Sequence, residues 1–169
     1  MKKSALLPLM LLFVGLLAVA TAQAKTLGYP SIDKASFLVD LPDDWTVEPG
    51  EGVGDYVHVN SESGVYLAFR TVEASDNAMQ DAIKESIAFL QDNYKNAKVG
   101  DPKEVKQAGL DGFVMDGAGE DSDGTAVVFR MAWVALKDGH IGEIWFVAFS
   151  DDEDGINAGG AALSSFRAP

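Results

Sequence analysis

Hydrophobic and polar positions along this chain change period several times, and each change marks an element. Ser36-Phe37-Leu38-Val39-Asp40-Leu41 places Phe37, Val39 and Leu41 on one side, the period of two expected of a strand, and Pro42-Asp43-Asp44 turns it. Trp45-Thr46-Val47 follows, then a glycine-rich turn through Gly50, Gly52 and Gly54. Tyr56 to Asn60 and Val65 to Val72 read as two strands of a hairpin across Ser61-Glu62-Ser63-Gly64. The period then lengthens. Met79, Ile83, Ile87, Leu90 and Tyr94 recur every three or four residues, the stripe of an amphipathic helix, with capping oxygens offered by Ser75-Asp76-Asn77. Asn96 and Gly100 release the chain from it.

Short strands are predicted near Lys103–Lys106 and Gly112–Ala118, with Gly109-Leu110-Asp111-Gly112 as their turn. Thr125 to Leu136 and Ile141 to Phe149 form the longest hairpin, which Asp138-Gly139 closes as a two-residue loop. Both strands are apolar on both faces, so both faces must be covered. A last amphipathic helix spans about Asp152 to Phe166 and turns Ile156, Gly159, Gly160, Leu163 and Phe166 inward. This order predicts an α+β domain, an antiparallel sheet flanked by helices on opposite faces. The stretch from Lys25 to Lys34 reads as a polar lead without an element.

The N-terminus has a different logic. Lys2-Lys3, an apolar run from Ala5 to Ala20 and the small residues of Thr21-Ala22-Gln23-Ala24 are the three parts of a secretory signal. The run contains Pro8 and Gly15 and falls short of the roughly 20 residues a spanning helix needs. Cleavage after Ala24 is therefore expected, leaving residues 25–169 as one domain in the periplasm or outside the cell, with no stable membrane insertion. The chain contains no cysteine, which excludes lipid attachment at a cysteine and disulfide stapling alike. A domain of this size buries enough apolar surface to fold without staples.

Removing Lys2 and Lys3 takes the formal net charge from −13 to −15. Such a surface repels nucleic acid, which binds through Lys and Arg clusters that displace counterions. Its electrostatic complements are basic protein surfaces and divalent cations.

The ends of the domain carry a resemblance. Phe37-x-Val39-x-Leu41-Pro42-x-x-Trp45 resembles the opening strand and turn of PsbP-like domains, and Leu163-Ser164-Ser165-Phe166-Arg167 resembles their closing helix. The likeness extends from about Ala35 to Arg167. That family takes in the photosystem II accessory protein, Ran-binding Mog-type proteins and DcrB-like envelope proteins. It implies an α/β/α sandwich and non-enzymatic roles in binding or assembling other proteins, here an envelope protein met through the acidic surface. Calcium or manganese is associated with the photosystem members. No functional residue of the family maps onto a position of this chain.

Candidate chemistry is sparse. His58 and His140 are the only histidines, and no Gly-x-Ser-x-Gly turn presents a nucleophile. No catalytic residue is assigned, and two separated histidines make at best half a zinc site. The alternative to a protein partner is a small ligand or a divalent cation bound in the periplasm, and calcium is the one cofactor with donors in sequence. Asp121 and Asp123 in one acidic turn and Asp152 and Asp154 in another are dense in oxygen, although neither segment has the glutamate an EF-hand requires. A hairpin turn and a helix N-cap account for the same residues. The charges within the apolar hairpin stand out more. Arg130 is the only charge between Thr125 and Leu136, and Glu143 the only one between Ile141 and Phe149. A two-residue loop sets Arg130 opposite Val147 and Glu143 opposite Val134, bringing both to the side of Trp145. Arg130, Glu143 and Trp145 are accordingly the predicted ligand or partner site.

Overall fold

In the computed structural model, residues 24–52, 54–75 and 77–169 are described. Apart from Ala24, the leader assigned to residues 1–24 lies outside them. Among the described residues no helix is long and apolar enough to cross a membrane. The elements in chain order are β1 (Ala24–Tyr29), β2 (Phe37–Pro42), β3 (Thr46–Glu48), β4 (Val57–Asn60), β5 (Tyr66–Glu73), α1 (Ala78–Asn93), β6 (Lys95–Val99), β7 (Lys103–Gln107), β8 (Leu110–Glu120), β9 (Ala126–Ala135), β10 (His140–Phe149) and α2 (Glu153–Ser164). Strands β3-β4-β5-β10-β9-β8-β6 form an antiparallel sheet in that order, and β7 also pairs with β8. β1 and β2 make a separate two-stranded sheet.

Alternation along the central strands divides the core in two. Leu67, Phe69, Ile144, Phe146 and Ala148 face α2 and the small sheet, where Phe37, Val39, Leu41 and Phe166 complete one cluster. Val127, Phe129, Met131, Trp133, Trp145 and Val147 face α1 and pack with Ala82 and Leu90. The helices thus cover opposite faces, as the apolar hairpin requires.

Four local expectations are corrected. The lead before Lys34 contains β1, which pairs with β2 from Ala24 opposite Pro42 to Tyr29 opposite Phe37. Its alternation is hidden because Lys25 and Thr26 spend their polar ends on the backbone near Trp45 and on Asp40. After α1 the chain is not released but forms β6 on the sheet edge, with Asn96 at a φ of 54° at the register shift between Lys95 and Lys98. The β7–β8 turn is Ala108-Gly109, both at positive φ, not Gly109 to Gly112. Gly160 points away from the core, whereas Gly159 lies against Phe146.

The fifth correction bears on function. Leu136 N–H donates to the His140 carbonyl at 2.8 Å, so the β9–β10 loop has three residues, Lys137-Asp138-Gly139. Gly139 alone of these has positive φ, at 86°, the left-handed position that closes a three-residue hairpin. A two-residue type I′ turn would need Asp138 there as well. Arg130 therefore pairs with Phe146, and Glu143 with Trp133.

Candidate functional site

Three strands and one helix build a cleft of about 320 Å³ on the α1 side of the sheet. Its floor follows from register. His58 on β4 lies opposite Ala68 on β5, which lies opposite Trp145 on β10. One step along, Arg70 lies directly across from Glu143. α1 supplies the far wall with Glu85, Ser86 and Phe89, while Tyr56 and Tyr66 close the β4 side. α1 packs with Met115, Met131 and Trp145 of β8, β9 and β10, and the cleft opens between it and β4.

Glu143 organises the polar end. Its side chain is wholly buried, and three donors reach it: Arg70 Nε at 2.6 Å, Ser86 Oγ at 3.0 Å and Trp145 Nε1 at 3.0 Å. A buried carboxylate is tolerable only with such company. In return it fixes the indole of β10, the guanidinium of β5 and the middle of α1 to one point. The Arg70 guanidinium lies 4.6 Å from the centre of the Tyr56 ring, a cation–π arrangement. Burial opposes the Arg70 charge, but the adjacent Glu143 carboxylate outweighs it and raises the Arg70 pKa further.

The walls are aromatic. Phe89 stands edge-on to Trp145 with ring centres 5.3 Å apart, and half of Phe89 is exposed. His58 Nδ1 and the Tyr66 hydroxyl are 2.7 Å apart. Burial, reinforced by the Glu143 charge, pushes the Tyr56 hydroxyl pKa well above its ordinary value. Burial does the same for Tyr66, with a contribution from Tyr94. Both phenols stay protonated at neutral pH and act as hydrogen-bonding walls, not as bases. The Glu143 carboxylate is likewise engaged at both oxygens. This is the arrangement of a preformed binding cleft, apolar in its walls with a few fixed polar groups.

No family model matches the sequence, and a search of characterised proteins gives no match. Solved structures do. Cyanobacterial PsbP (CyanoP) from Synechocystis matches with a TM-score of 0.60 and 11% identity over 90% of this chain and 96% of that one. LpqN, involved in cell envelope biogenesis of Mycobacterium tuberculosis, matches with a TM-score of 0.57 and 13% identity over 87% and 91%. The Ran-binding protein Mog1p of Saccharomyces cerevisiae matches with a TM-score of 0.54 and 11% identity over 88% and 96%. The fold is that of PsbP and Mog1p. A protein from Bacteroides thetaiotaomicron also matches, and the chain spans 46% of its length.

On this PsbP/Mog1-like frame the predicted site divides. Glu143 and Trp145 meet in the cleft, joined by a hydrogen bond. Arg130 does not join them. The three-residue loop turns it to the α2 face, where its Nε donates to Asp116 Oδ1 at 2.6 Å and about half the side chain is exposed. The acidic turns do structural duty. Asp121 Oδ1 accepts from the backbone N–H of Asp123 and Thr125, shaping the β8–β9 turn. Asp152 Oδ1 accepts from Gly155 N–H and caps α2, with Glu153 and Asp154 in the first turn, where the helix dipole favours acids. Among the described residues no three acidic or histidine side chains converge as a metal site.

Arg70, Ser86 and Phe89 are the site residues that sequence reasoning missed. Arg70 carried the same signal as Glu143, a single charge inside an apolar strand. Ser86 is a small polar residue between Ile83 and Leu90 on the helical stripe, and it is buried because Glu143 needs its hydroxyl.

Proposed function

We propose that this chain is an exported, non-enzymatic accessory protein that binds another protein of the cell envelope, with the α1-side cleft as its contact site. The observation that carries the reading is the Glu143 network. It spends a buried charge on holding aromatic walls in place, and both carboxylate oxygens of Glu143 are taken up in doing so. Preorganised walls lower the ordering cost of association. The N-terminal sequence supports export. The two neighbours whose names state a role, Mog1p as a Ran-binding protein and LpqN in cell envelope biogenesis, support a binding role and an envelope setting. The reading assigns Asp121 and Asp152 to the fold, since Oδ1 of each accepts from backbone N–H groups of its own turn.

Photo-crosslinking in the exporting cell tests this. A photoreactive residue at position 89 should capture one dominant envelope protein, and the same residue at position 98, on the exposed β6 edge, should not. Equal capture from both positions, or none from position 89, refutes the assignment. Sequencing of the purified protein's N-terminus should begin at Lys25.

A further inference from the structure

The cleft does not end at Tyr56 and His58. A second hollow of about 400 Å³ shares both residues and continues over Pro49, Gly50, Glu51 and Asp55 of the β3–β4 connection. Together the two form a groove crossing the open end of β4. Charge along it is graded. At the deep end Arg70 and Glu143 neutralise each other, so the floor attracts neither sign and is suited to an apolar group. Toward the mouth the further charged lining residues are all acidic: Glu85 on one rim, Glu51 and Asp55 on the other. Among the described residues Glu51 and Asp55 enter no ion pair, and Glu85 reaches only Arg70, at 3.8 Å. Phe89 overhangs this gradient. It is one of two large hydrophobic side chains left exposed among the described residues, and the other, Ile32, lies in the connection between β1 and β2.

Resting on the binding reading above, we propose that the groove receives a basic segment of the partner protein. One apolar or aromatic side chain of that segment seats between Phe89, Trp145 and Ala68, and flanking Lys or Arg side chains lie over Glu51, Asp55 and Glu85. The geometry explains each part. An ammonium or guanidinium placed deep would lose its water and meet only the already neutral Arg70–Glu143 pair, whereas at the mouth it stays in water and meets carboxylates. An acidic segment is repelled by the same rim and by a chain of net charge −13. The η nitrogens of Arg70, which make no hydrogen bond to any of the described residues, remain to donate to a backbone carbonyl of the bound segment. A buried aromatic anchor ringed by complementary charge is the usual distribution of energy at such contacts.

Fluorescence anisotropy with three labelled peptides tests it on the purified protein: Lys-Lys-Trp-Lys-Lys, Glu-Glu-Trp-Glu-Glu and Lys-Lys-Gly-Lys-Lys. The first should bind, the acidic peptide should not, and the glycine peptide should bind at least about tenfold more weakly, the cost of losing an anchor. Phe89→Ser and the pair Glu51→Lys with Asp55→Lys are surface changes that leave the fold intact. Each should weaken the first peptide about tenfold. Added salt should weaken binding to wild type and have less effect on the double variant. Equal binding of acidic and basic peptides, or indifference to both variants, overturns the proposal, as does equal competition by tetramethylammonium, which would make the groove a site for small organic cations. Crosslinking separates this from the binding reading. An envelope partner captured at position 89 through a neutral or acidic segment overturns the basic occupant alone, whereas no capture removes the binding reading itself.

Discussion

Replacing Glu143 tests the architecture of the cleft most directly. In Glu143→Gln the amide oxygen can keep the bonds from Ser86 and Trp145, but the NH₂ group faces Arg70 Nε, donor against donor. The lost contact is a hydrogen bond between charged groups, worth about 1.5–3 kcal/mol, and Arg70 keeps one-fifth of its side chain in water, which softens the loss. The expected destabilisation is about 2 kcal/mol. Glu143→Leu orphans all three donors, and a loss of about 4 kcal/mol follows from the range for breaking a buried pair. Adding Arg70→Met to Glu143→Leu removes the stranded charge, so the double variant should recover at least about 1 kcal/mol over Glu143→Leu. Urea unfolding followed by tryptophan fluorescence measures each value, with an unchanged m-value as the sign that the unfolded state is not the cause. A Glu143→Gln loss below about 0.5 kcal/mol, or a double variant less stable than Glu143→Leu, would refute the claim that this carboxylate holds the site together.

Four other outcomes are expected. A Cβ at Gly159 would lie 2.1 Å from Phe146 Cε2, so Gly159→Ala should cost about 1–3 kcal/mol in urea unfolding. Gly160→Ala, one residue on, meets nothing within 4 Å and should stabilise by up to about 1 kcal/mol through helix propensity. Asp152→Ala should lower stability by about 1 kcal/mol, the cost of a lost N-cap, equally with calcium or EDTA present. A wild-type melting temperature that rises with calcium would reverse that account. Asp40 accepts from both η nitrogens of Arg167, at 2.8 and 3.0 Å, and from Thr26, and these bonds hold its pKa below the usual carboxylate range. Its contribution to stability is therefore present above the unfolded-state pKa and is lost as pH falls through the depressed folded value. Wild type should exceed Asp40→Asn in stability at neutral pH, and the gap should close in acid. A gap that is constant from pH 7 to pH 2 would mean the charge is irrelevant.

Most of the frame was legible because burial imposes periodicity. The stripe from Met79 to Tyr94 and the apolar runs of β9 and β10 fix which elements exist and that both sheet faces are covered. β1 and β6 were not legible. They are short edge or satellite strands in which Lys25, Thr26, Lys95, Asn96 and Lys98 interrupt the apolar positions, so periodicity has little to register. Arg70 and Glu143 were each visible as a lone charge in an apolar strand, yet their partnership depends on β5 lying beside β10, a pairing between elements 73 positions apart. Nothing local encodes that.

The misplacement of Arg130 has a physical cause. Asp138-Gly139 fits two loops, of two or three residues, and the choice shifts the register by one position, which turns every β9 side chain to the other face. The deciding energy lies outside the turn. On β9 the large residues Val127, Phe129, Met131 and Trp133 share one parity, while Val128, Arg130, Ala132 and Val134 share the other. Three-residue closure places the large set under α1 and lets Arg130 reach Asp116 and water. Two-residue closure would set Arg130 opposite Val147 under α1 and take its guanidinium out of the water it now reaches. Such a charge costs several kcal/mol, more than the preference between two common turn types. The same accounting explains why Glu143 is tolerated where Arg130 is not: across the strand from Glu143 lies Arg70, and above it lies Ser86. A lone charge in an apolar strand therefore does not mark a site by itself: Arg130 and Glu143 each meet a counterion on a neighbouring strand, Asp116 and Arg70, and in this sheet only the Glu143 pair lies under α1.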